Sequence, residues 1–196
     1  NGAGWDGPGQ GSASLKYWFV NGTADLTGNT EQTEVLRGMN KWGEQVQVTF
    51  SAATGANQNR SFDILWGTGD HGDGAPFDGP GGVLAHCFYP SPPNSEPIAG
   101  DMHFDDAETW RVGSAFDLFS VALHESGHGL GLAHSTDPNA VMYAYYQRVT
   151  DLRSDDIAGI RSLYAATDAG GGDTFEPDNA FGQAKTITLG TSQSHS

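Results

Sequence analysis

The chain has 196 residues, of which 37% are apolar, so it is long enough for one domain with a proper hydrophobic core. Its formal net charge of −15 disfavours a nucleic-acid partner, which would select a basic surface. The single cysteine, Cys87, excludes an intrachain disulfide framework, and no apolar run reaches the roughly 18 residues of a membrane span. The acidity keeps two interpretations open: solubility, or carboxylates gathered to hold cations.

The first third of the chain predicts strands around one helix. Residues 1–13 are rich in glycine and predict a flexible leader, without the basic and apolar regions of a signal peptide. Apolar residues recur at helical spacing from Val35 to Trp42, after a cap at Asn29 or Thr30. Short apolar or alternating runs predict strands at residues 15–20, 46–50 and 62–66.

The rest of the chain predicts two more strands and two helices. A Gly/Asp/Pro-rich region over residues 67–82 precedes strands at 83–88 and 101–104. The stretch from Ser114 to Asp117 fits a capping box, which predicts a helix running through the histidine-rich segment. A last helix is predicted from Ser154 to near Tyr164, with acidic residues in its first turn. Glycines after residue 167 predict a linker.

The segment HESGHGLGLAH, residues 124–134, has the spacing of a metal site. His124 and His128 are four residues apart and share one face of a helix, with Glu125 beside the first. Gly131 can end the helix and let His134 approach the same ion. Three imidazoles and one open position are typical of catalytic zinc, which acidifies a water whose proton Glu125 could take. A histidine-rich helix end that simply packs is the competing interpretation.

The extended motif HExxHxxGxxH followed by a methionine is the metzincin signature. Met142 comes eight residues after His134 and would form the Met-turn beneath the metal. The segments HESGHGLGLAHS and DPNAVMY, with Ser135 directly after the third histidine, resemble the matrixins, the matrix metalloproteinase family. DHGDGAPFDGPGGVLAHCF, GDMHFDDAETW and LRSDDIAGIRSLYA are similar to further matrixin segments. The resemblance implies an α+β fold over residues 14–167: a twisted five-stranded mixed sheet, three helices and a zinc cleft.

A second set of histidines also has the composition of a metal site. Three histidines and one acid form a closed tetrahedral set, as in structural zinc sites, and the resemblance assigns them that role: His71, Asp73, His86 and His103. Six of the seven histidines thereby fall into two sets of three. The alternative is that each is an ordinary polar residue of a loop or strand.

Two calcium sites are predicted from the resemblance. The first would take oxygens from Asp78, Gly79, Gly81, Val83, Asp105 and Glu108. The second would use Asp63 and Asp101, although the loop before Asp101 is longer and richer in proline than its family counterpart. Without the resemblance, a solvated turn with surface acids would be the simpler interpretation of the first site.

The resemblance also predicts how a peptide binds. Leu84 and Ala85 lie on the expected cleft edge, where a substrate could add as a strand. The specificity pocket is predicted to be lined by Ser120, Ala144 and Tyr146, with Ala144 in place of the usual proline. Cys87 is predicted to be a buried strand thiol. The resemblance suggests that Asp156 pairs with a freed N-terminal amine, or that its neighbour ties the Met-turn; the alternative is that Asp155 and Asp156 only cap the last helix.

Residues 168–196 are predicted to be a Gly-rich linker and a partial C-terminal domain segment. DTFEPDNAFGQAKTITLGTSQSHS resembles the opening of the bacterial pre-peptidase C-terminal domain, which implies a larger secreted bacterial protein; a disordered linker is the alternative. The sequence thus predicts a secreted, monomeric zinc endopeptidase of matrixin type that acts on protein or peptide substrates. A metzincin of another branch, or a metal-stabilised module that binds peptides without cleaving them, remains the alternative.

Overall fold

A computed structural model describes residues 2–7 and 10–167 of the chain. Within them, the elements follow in the order β1 (Ala13–Phe19), α1 (Thr30–Gly43), β2 (Val48–Ala52), β3 (Ser61–Gly67), β4 (Ala85–Cys87), β5 (Met102–Asp105), α2 (Leu118–Gly129) and α3 (Ser154–Arg161). The strands form one mixed sheet in the order β2-β1-β3-β5-β4, with β4 antiparallel to β5 and the other pairs parallel. The predicted α+β fold is confirmed.

Helices α1 and α2 pack against each other at very short range. Gly38 of α1 faces the backbone of α2, and a Cβ there would lie 2.8 Å from the Leu123 nitrogen. One turn further on, the buried indole of Trp42 donates a hydrogen bond to the Leu123 carbonyl at 2.9 Å. Strand side chains such as Phe62 and Phe104 are fully buried in the same core. The helix that carries the histidine motif is therefore held against α1 at the turn around Leu123.

Most predicted elements are present, with shifted ends. Strand β2 begins at Val48 rather than at residue 46, because the turn after α1 continues to Val46, whose nitrogen bonds the Trp42 carbonyl at 3.2 Å. Helix α3 ends at Arg161, short of the predicted Tyr164. No helix in the described residues is both long and apolar enough to cross a membrane.

The N-terminal segment is packed against the domain in its described part, although the sequence predicted a flexible leader over residues 1–13. The Trp5 indole donates to the Gly129 carbonyl at 2.8 Å, and the Trp5 backbone nitrogen donates to the Tyr164 hydroxyl at 3.1 Å. Strand β1 already begins at Ala13. The glycine-rich composition predicted flexibility, whereas the single aromatic residue of the segment, Trp5, anchors it. The predicted linker and C-terminal segment, residues 168–196, lie outside the described residues.

Candidate active site and metal centres

The histidine-bearing helix α2 begins at Leu118, three residues later than a capping box with its N-cap at Ser114 predicts. Phe116 has a φ of 54°, which interrupts any helix before it. Asp117 is the N-cap instead, and its carboxylate accepts the Ser120 backbone N–H at 3.1 Å. Capping by an aspartate satisfies a first-turn donor and suits the positive end of the helix dipole.

The fold brings the three motif histidines together at the end of α2. His124 and His128 lie one turn apart, with ring centroids 4.7 Å from each other. The helix ends at Gly129, and Gly131 adopts a φ of 104°, which turns the chain so that His134 faces the same point. One ligand atom from each of the three lies within 4.8 Å of the others.

Hydrogen bonds fix which ring nitrogens can bind a cation. The Nδ1 atoms of His124 and His128 lie 2.7 Å from the carbonyls of Val141 and Leu132, so in the neutral rings the proton is on Nδ1 and the lone pair on Nε2. The Nε2 atoms of His128 and His134 are 3.1 Å apart. Nitrogens bound tetrahedrally to zinc are about 3.3 Å apart, so the donor set and spacing fit zinc.

The electrostatics of the cluster also favour a cation over protons. Burial lowers the pKa of His124, and burial together with the nearby His124 lowers the pKa of His128 to about 3. Both rings are therefore neutral near pH 7 and available as ligands. Burial raises the pKa of the adjacent Glu125 to about 8. A divalent cation beside Glu125 would stabilise the carboxylate and lower that pKa.

Met142 lies beneath α2, as expected for a Met-turn. It is 2% exposed, and its sulfur occupies the space where a Cβ on Gly127 would lie. The buried carboxylate of Asp156 holds this turn, because it accepts the backbone N–H of Val141 at 2.9 Å and that of Met142 at 3.0 Å. The sequence assigned this tie to a neighbour of Asp156. That assignment is wrong, since Asp155 instead accepts the Ser135 hydroxyl.

The second histidine set also converges, around one oxygen of Asp73. Its Oδ2 atom lies 2.8 Å from His71 Nε2, 2.7 Å from His86 Nε2 and 2.7 Å from His103 Nδ1. His71 donates its Nδ1 proton to Gly69 at 2.9 Å, which leaves a lone pair on Nε2 facing the carboxylate oxygen. Two such lone pairs repel each other unless a cation or a proton lies between them. Three imidazoles and a carboxylate suit a closed zinc site.

Near this cluster, the residues predicted for the first calcium lie on a glycine-rich turn and after β5. Gly79 and Gly81 have φ values of 88° and 85°, which only glycine adopts readily. Asp105 is fully buried, and its Oδ2 has no hydrogen-bond partner among the described residues. Asp78 and Glu108 accept the backbone N–H groups of Val83 and Gly81. An orphaned buried carboxylate oxygen fits a hard cation.

The residues predicted for the second calcium are two adjacent buried acids. The Asp63 backbone N–H donates to Asp101 Oδ1 at 3.0 Å, and the Asp63 side chain accepts the Asn57 N–H at 2.6 Å. Burial raises the pKa of Asp101 to about 8; the Asp63 backbone N–H opposes this rise, whereas the negative charges of Asp63 and Glu96 add to it. Burial also raises the pKa of Asp63. Two close buried carboxylates require either a proton or a cation.

A cleft of about 550 Å³ runs past Glu125 and the three histidines. All the residues predicted to bind substrate line it: Leu84, Ala85, Ser120, Ala144 and Tyr146. Three tyrosines that the sequence did not single out also line it: Tyr89, Tyr143 and Tyr145. Tyr89 lies just after β4, and its hydroxyl is 3.3 Å from His128 Nδ1. An aromatic residue closely following a cleft strand was the available sequence signal.

Ser120 connects helix α2 to the wall of the cleft, which is the chain around Tyr146 and Val149. Its hydroxyl donates to Asp117 at 2.6 Å and accepts the Val149 backbone N–H at 2.9 Å. The Tyr146 hydroxyl accepts the Asp117 backbone N–H at 2.9 Å, which gives the wall a second attachment. Ser120 is only 3% exposed, so its main contacts are with the wall. Cys87, in β4, is only partly buried and also lines the cleft.

The HExxHxxGxxH site on this mixed sheet is of the metzincin type. Comparison with known proteins gives the family. The matrixin family profile matches residues 9–165, and a hatching enzyme from Paracentrotus lividus is 44% identical over 162 residues, 80% of this chain and 26% of the relative. The chain belongs to the matrixin family.

Other relatives agree with this family. Karilysin from Tannerella forsythia is 40% identical over 153 residues, which are 77% of this chain and 32% of karilysin. Matrix metalloproteinase-20 from Homo sapiens is 40% identical over 156 residues, 77% of this chain and 31% of that protein. The chain thus spans about a quarter to a third of the length of the curated relatives it matches.

Proposed function

We propose that the chain is the catalytic domain of a secreted zinc endopeptidase that hydrolyses peptide bonds in extended protein substrates. One observation carries the proposal. Three imidazole ligand atoms converge within 4.8 Å of one another, beside the buried Glu125 and in the wall of an open cleft. A closed structural site would leave neither an open position nor a buried acid next to it.

The substrate would bind along the edge of the sheet. Strand β4 lies at the edge of the sheet, and Ala85 at its start and the preceding Leu84 line the cleft. The Leu84 carbonyl is already paired with the Asp105 nitrogen at 2.9 Å, so the substrate would use groups on the other side of β4. An extended peptide could add there as a further strand, and its next side chain would enter the pocket near Ala144 and Tyr146.

Each residue of the centre has a distinct part in the chemistry. His124, His128 and His134 would hold the zinc, which when bound supplies a Lewis acid that polarises the scissile carbonyl and acidifies water. The Glu125 carboxylate accepts the proton of the attacking water and then delivers it to the leaving amine, so that it ends each cycle as it began. The carbonyls of Val141 and Leu132 keep the first two rings in the ligand orientation.

Further cations would stabilise the fold around this centre. A second zinc would be held by His71, Asp73, His86 and His103. The first calcium would be held around the orphaned oxygen of Asp105, with Asp78, Glu108 and the carbonyls of Gly79, Gly81 and Val83. A second calcium would neutralise Asp63 and Asp101. Ions that bind only the folded chain raise its stability by mass action.

The test combines metal content with cleavage in one sample of the dialysed chain. Mass spectrometry should count two zinc ions and at least one calcium per chain, and a quenched generic peptide should be cleaved until a chelator is added. One zinc would remove the His71 site from the proposal. Two zinc ions with no cleavage of any peptide in a diverse library would favour a module that binds without cutting. Secretion predicts that the native protein, expressed with its own upstream sequence, accumulates outside the cell.

A further inference from the structure

We propose that Trp5 is a positioning residue for the metal centre: its indole holds the turn after α2 that sets both His128 and His134. The proposal concerns the same centre as the proposed function and rests on it. It starts from the segment Gly2–Gly7, which packs against the end of the histidine-bearing helix.

The end of α2 leaves three carbonyls without partners in the helix. The Leu132 N–H bonds the Gly127 carbonyl at 2.9 Å, and the Gly131 N–H bonds that of His128 at 2.8 Å. This is a Schellman arrangement, and it satisfies the inner carbonyls. The carbonyls of Gly129, Leu130 and Gly131 remain, as the last carbonyls of any helix do.

The N-terminal segment and one tyrosine cap these three carbonyls in turn. The Trp5 indole donates to Gly129 at 2.8 Å, and the Gly2 backbone N–H donates to Gly131 at 2.9 Å. The hydroxyl of Tyr164 donates to Leu130 at 2.8 Å and accepts the Trp5 backbone N–H at 3.1 Å. Trp5 is thus joined to the turn both directly and through Tyr164.

Trp5 is itself held from the sheet side. Its ring centroid lies 6.0 Å from that of Phe62, and the Arg60 guanidinium donates to the Trp5 carbonyl at 3.1 Å. A Cβ on Gly100 would lie 2.8 Å from the indole, and a Cβ on Gly131 would lie 2.8 Å from the Ala3 carbonyl. Glycines at these two positions let the segment come this close.

The turn that Trp5 caps connects directly to the metal ligands. The carbonyl of Leu132 accepts the Nδ1 proton of His128 at 2.7 Å, and His134 follows two residues later. A shift of this turn would therefore rotate the His128 ring and displace His134. Loss of a ligand's orienting hydrogen bond weakens metal binding in proteins by about 10–100-fold.

The experiment measures zinc release to a chromophoric chelator at fixed calcium. Release should be biphasic, and a His134→Ala variant identifies the phase of the three-histidine site. Trp5→Phe keeps an aromatic ring but removes the indole N–H, and it should speed that phase about fivefold, as expected for one hydrogen bond. Trp5→Ala should speed it more than tenfold. The control is Trp18→Phe on the exposed face of β1, which should stay within twofold of the wild type.

The other phase separates positioning from general stability. If Trp5→Phe leaves the three-histidine phase within twofold of the wild type, or accelerates both phases equally, the proposal is overturned. A wild type with no three-histidine phase would overturn both this proposal and the proposed function. A wild type that releases zinc as expected but cleaves no peptide would refute only the proposed function. If Trp5→Ala does not fold, Trp5→Phe still decides the matter.

Discussion

Replacing Asp156 by alanine should be among the most destabilising changes in the active-site region. Its carboxylate is 2% exposed and accepts three backbone N–H groups: Val141 at 2.9 Å, Met142 at 3.0 Å and Arg153 at 2.8 Å. The first two donors are buried, and each would lose its partner. A buried donor left unsatisfied costs about 1–3 kcal/mol, so we expect a loss of about 4 kcal/mol in the free energy of unfolding.

For a domain of this size, about 4 kcal/mol corresponds to a decrease of about 8–16 °C in the melting temperature. Asp156→Asn should lie between the wild type and Asp156→Ala, because one amide oxygen still accepts while the amide NH₂ faces donors. The neighbouring Asp155 is the matched control: it is exposed and accepts one hydroxyl, from Ser135, so Asp155→Ala should cost about 0.5 kcal/mol.

The assay is thermal unfolding at fixed zinc and calcium, since bound ions shift the midpoint. Equal melting temperatures for Asp156→Ala and Asp155→Ala would refute the assignment of the Met-turn tie to Asp156.

Three further predictions concern the pocket, the second histidine cluster and pH. Ser120→Ala removes the hydroxyl that accepts the Val149 N–H, so the pocket wall at Val149 should loosen. The preference between short and long side chains after the scissile bond, measured as a ratio of kcat/KM values, should fall about fivefold. Unchanged ratios would contradict the role of Ser120 in holding this wall. Asp73→Ala should lower the zinc count by one ion per chain while the rate per remaining zinc falls less than tenfold at low temperature; an unchanged zinc count would contradict the site. In the metal-free chain, His128 and Glu125 have opposite effects on stability between pH 4.5 and 6.5, because the pKa of His128 is lowered to about 3 and that of Glu125 is raised to about 8. As the pH decreases, His128 makes the free energy of unfolding fall and Glu125 makes it rise, each by about 1.4 kcal/mol per pH unit. With a chelator present, Glu125→Gln should therefore lose stability more steeply than the wild type, by about 1.4 kcal/mol per pH unit, and equal pH slopes of the two denaturant midpoints would contradict this.

Local spacing made the metal centre predictable from the sequence. The spacing of four residues puts His124 and His128 on one face of the helix, whatever the rest of the fold is. Gly131 adopts the positive φ that turns the chain so that His134 reaches the same point. The composition of the second cluster also pointed to a metal site, but its convergence on one oxygen of Asp73 depends on two strands and a loop. That convergence could be expected only from the family resemblance.

Contacts between distant parts of the chain account for what the sequence did not predict. Trp5 and Gly129 are 124 residues apart, so a glycine-rich leader gave no sign that it caps the helix end. The helix start was misplaced because Ser114 has the composition of a capping residue, whereas the backbone at Phe116 prevents a helix there. Asp156 was expected to meet an amine or only to cap α3, but its carboxylate also reaches the Met-turn.

The most direct measurement is peptide cleavage by the wild type and by Glu125→Gln at equal, measured zinc content. The substituted amide would keep the shape of the side chain and leave the three histidine ligands in place, but it could not accept a proton. We expect the variant to hold zinc like the wild type and to cleave about 10²–10⁴-fold more slowly, which is the usual contribution of a general acid–base group. A variant that cleaves at the wild-type rate with full zinc would contradict the role assigned to Glu125 and with it the proposed mechanism.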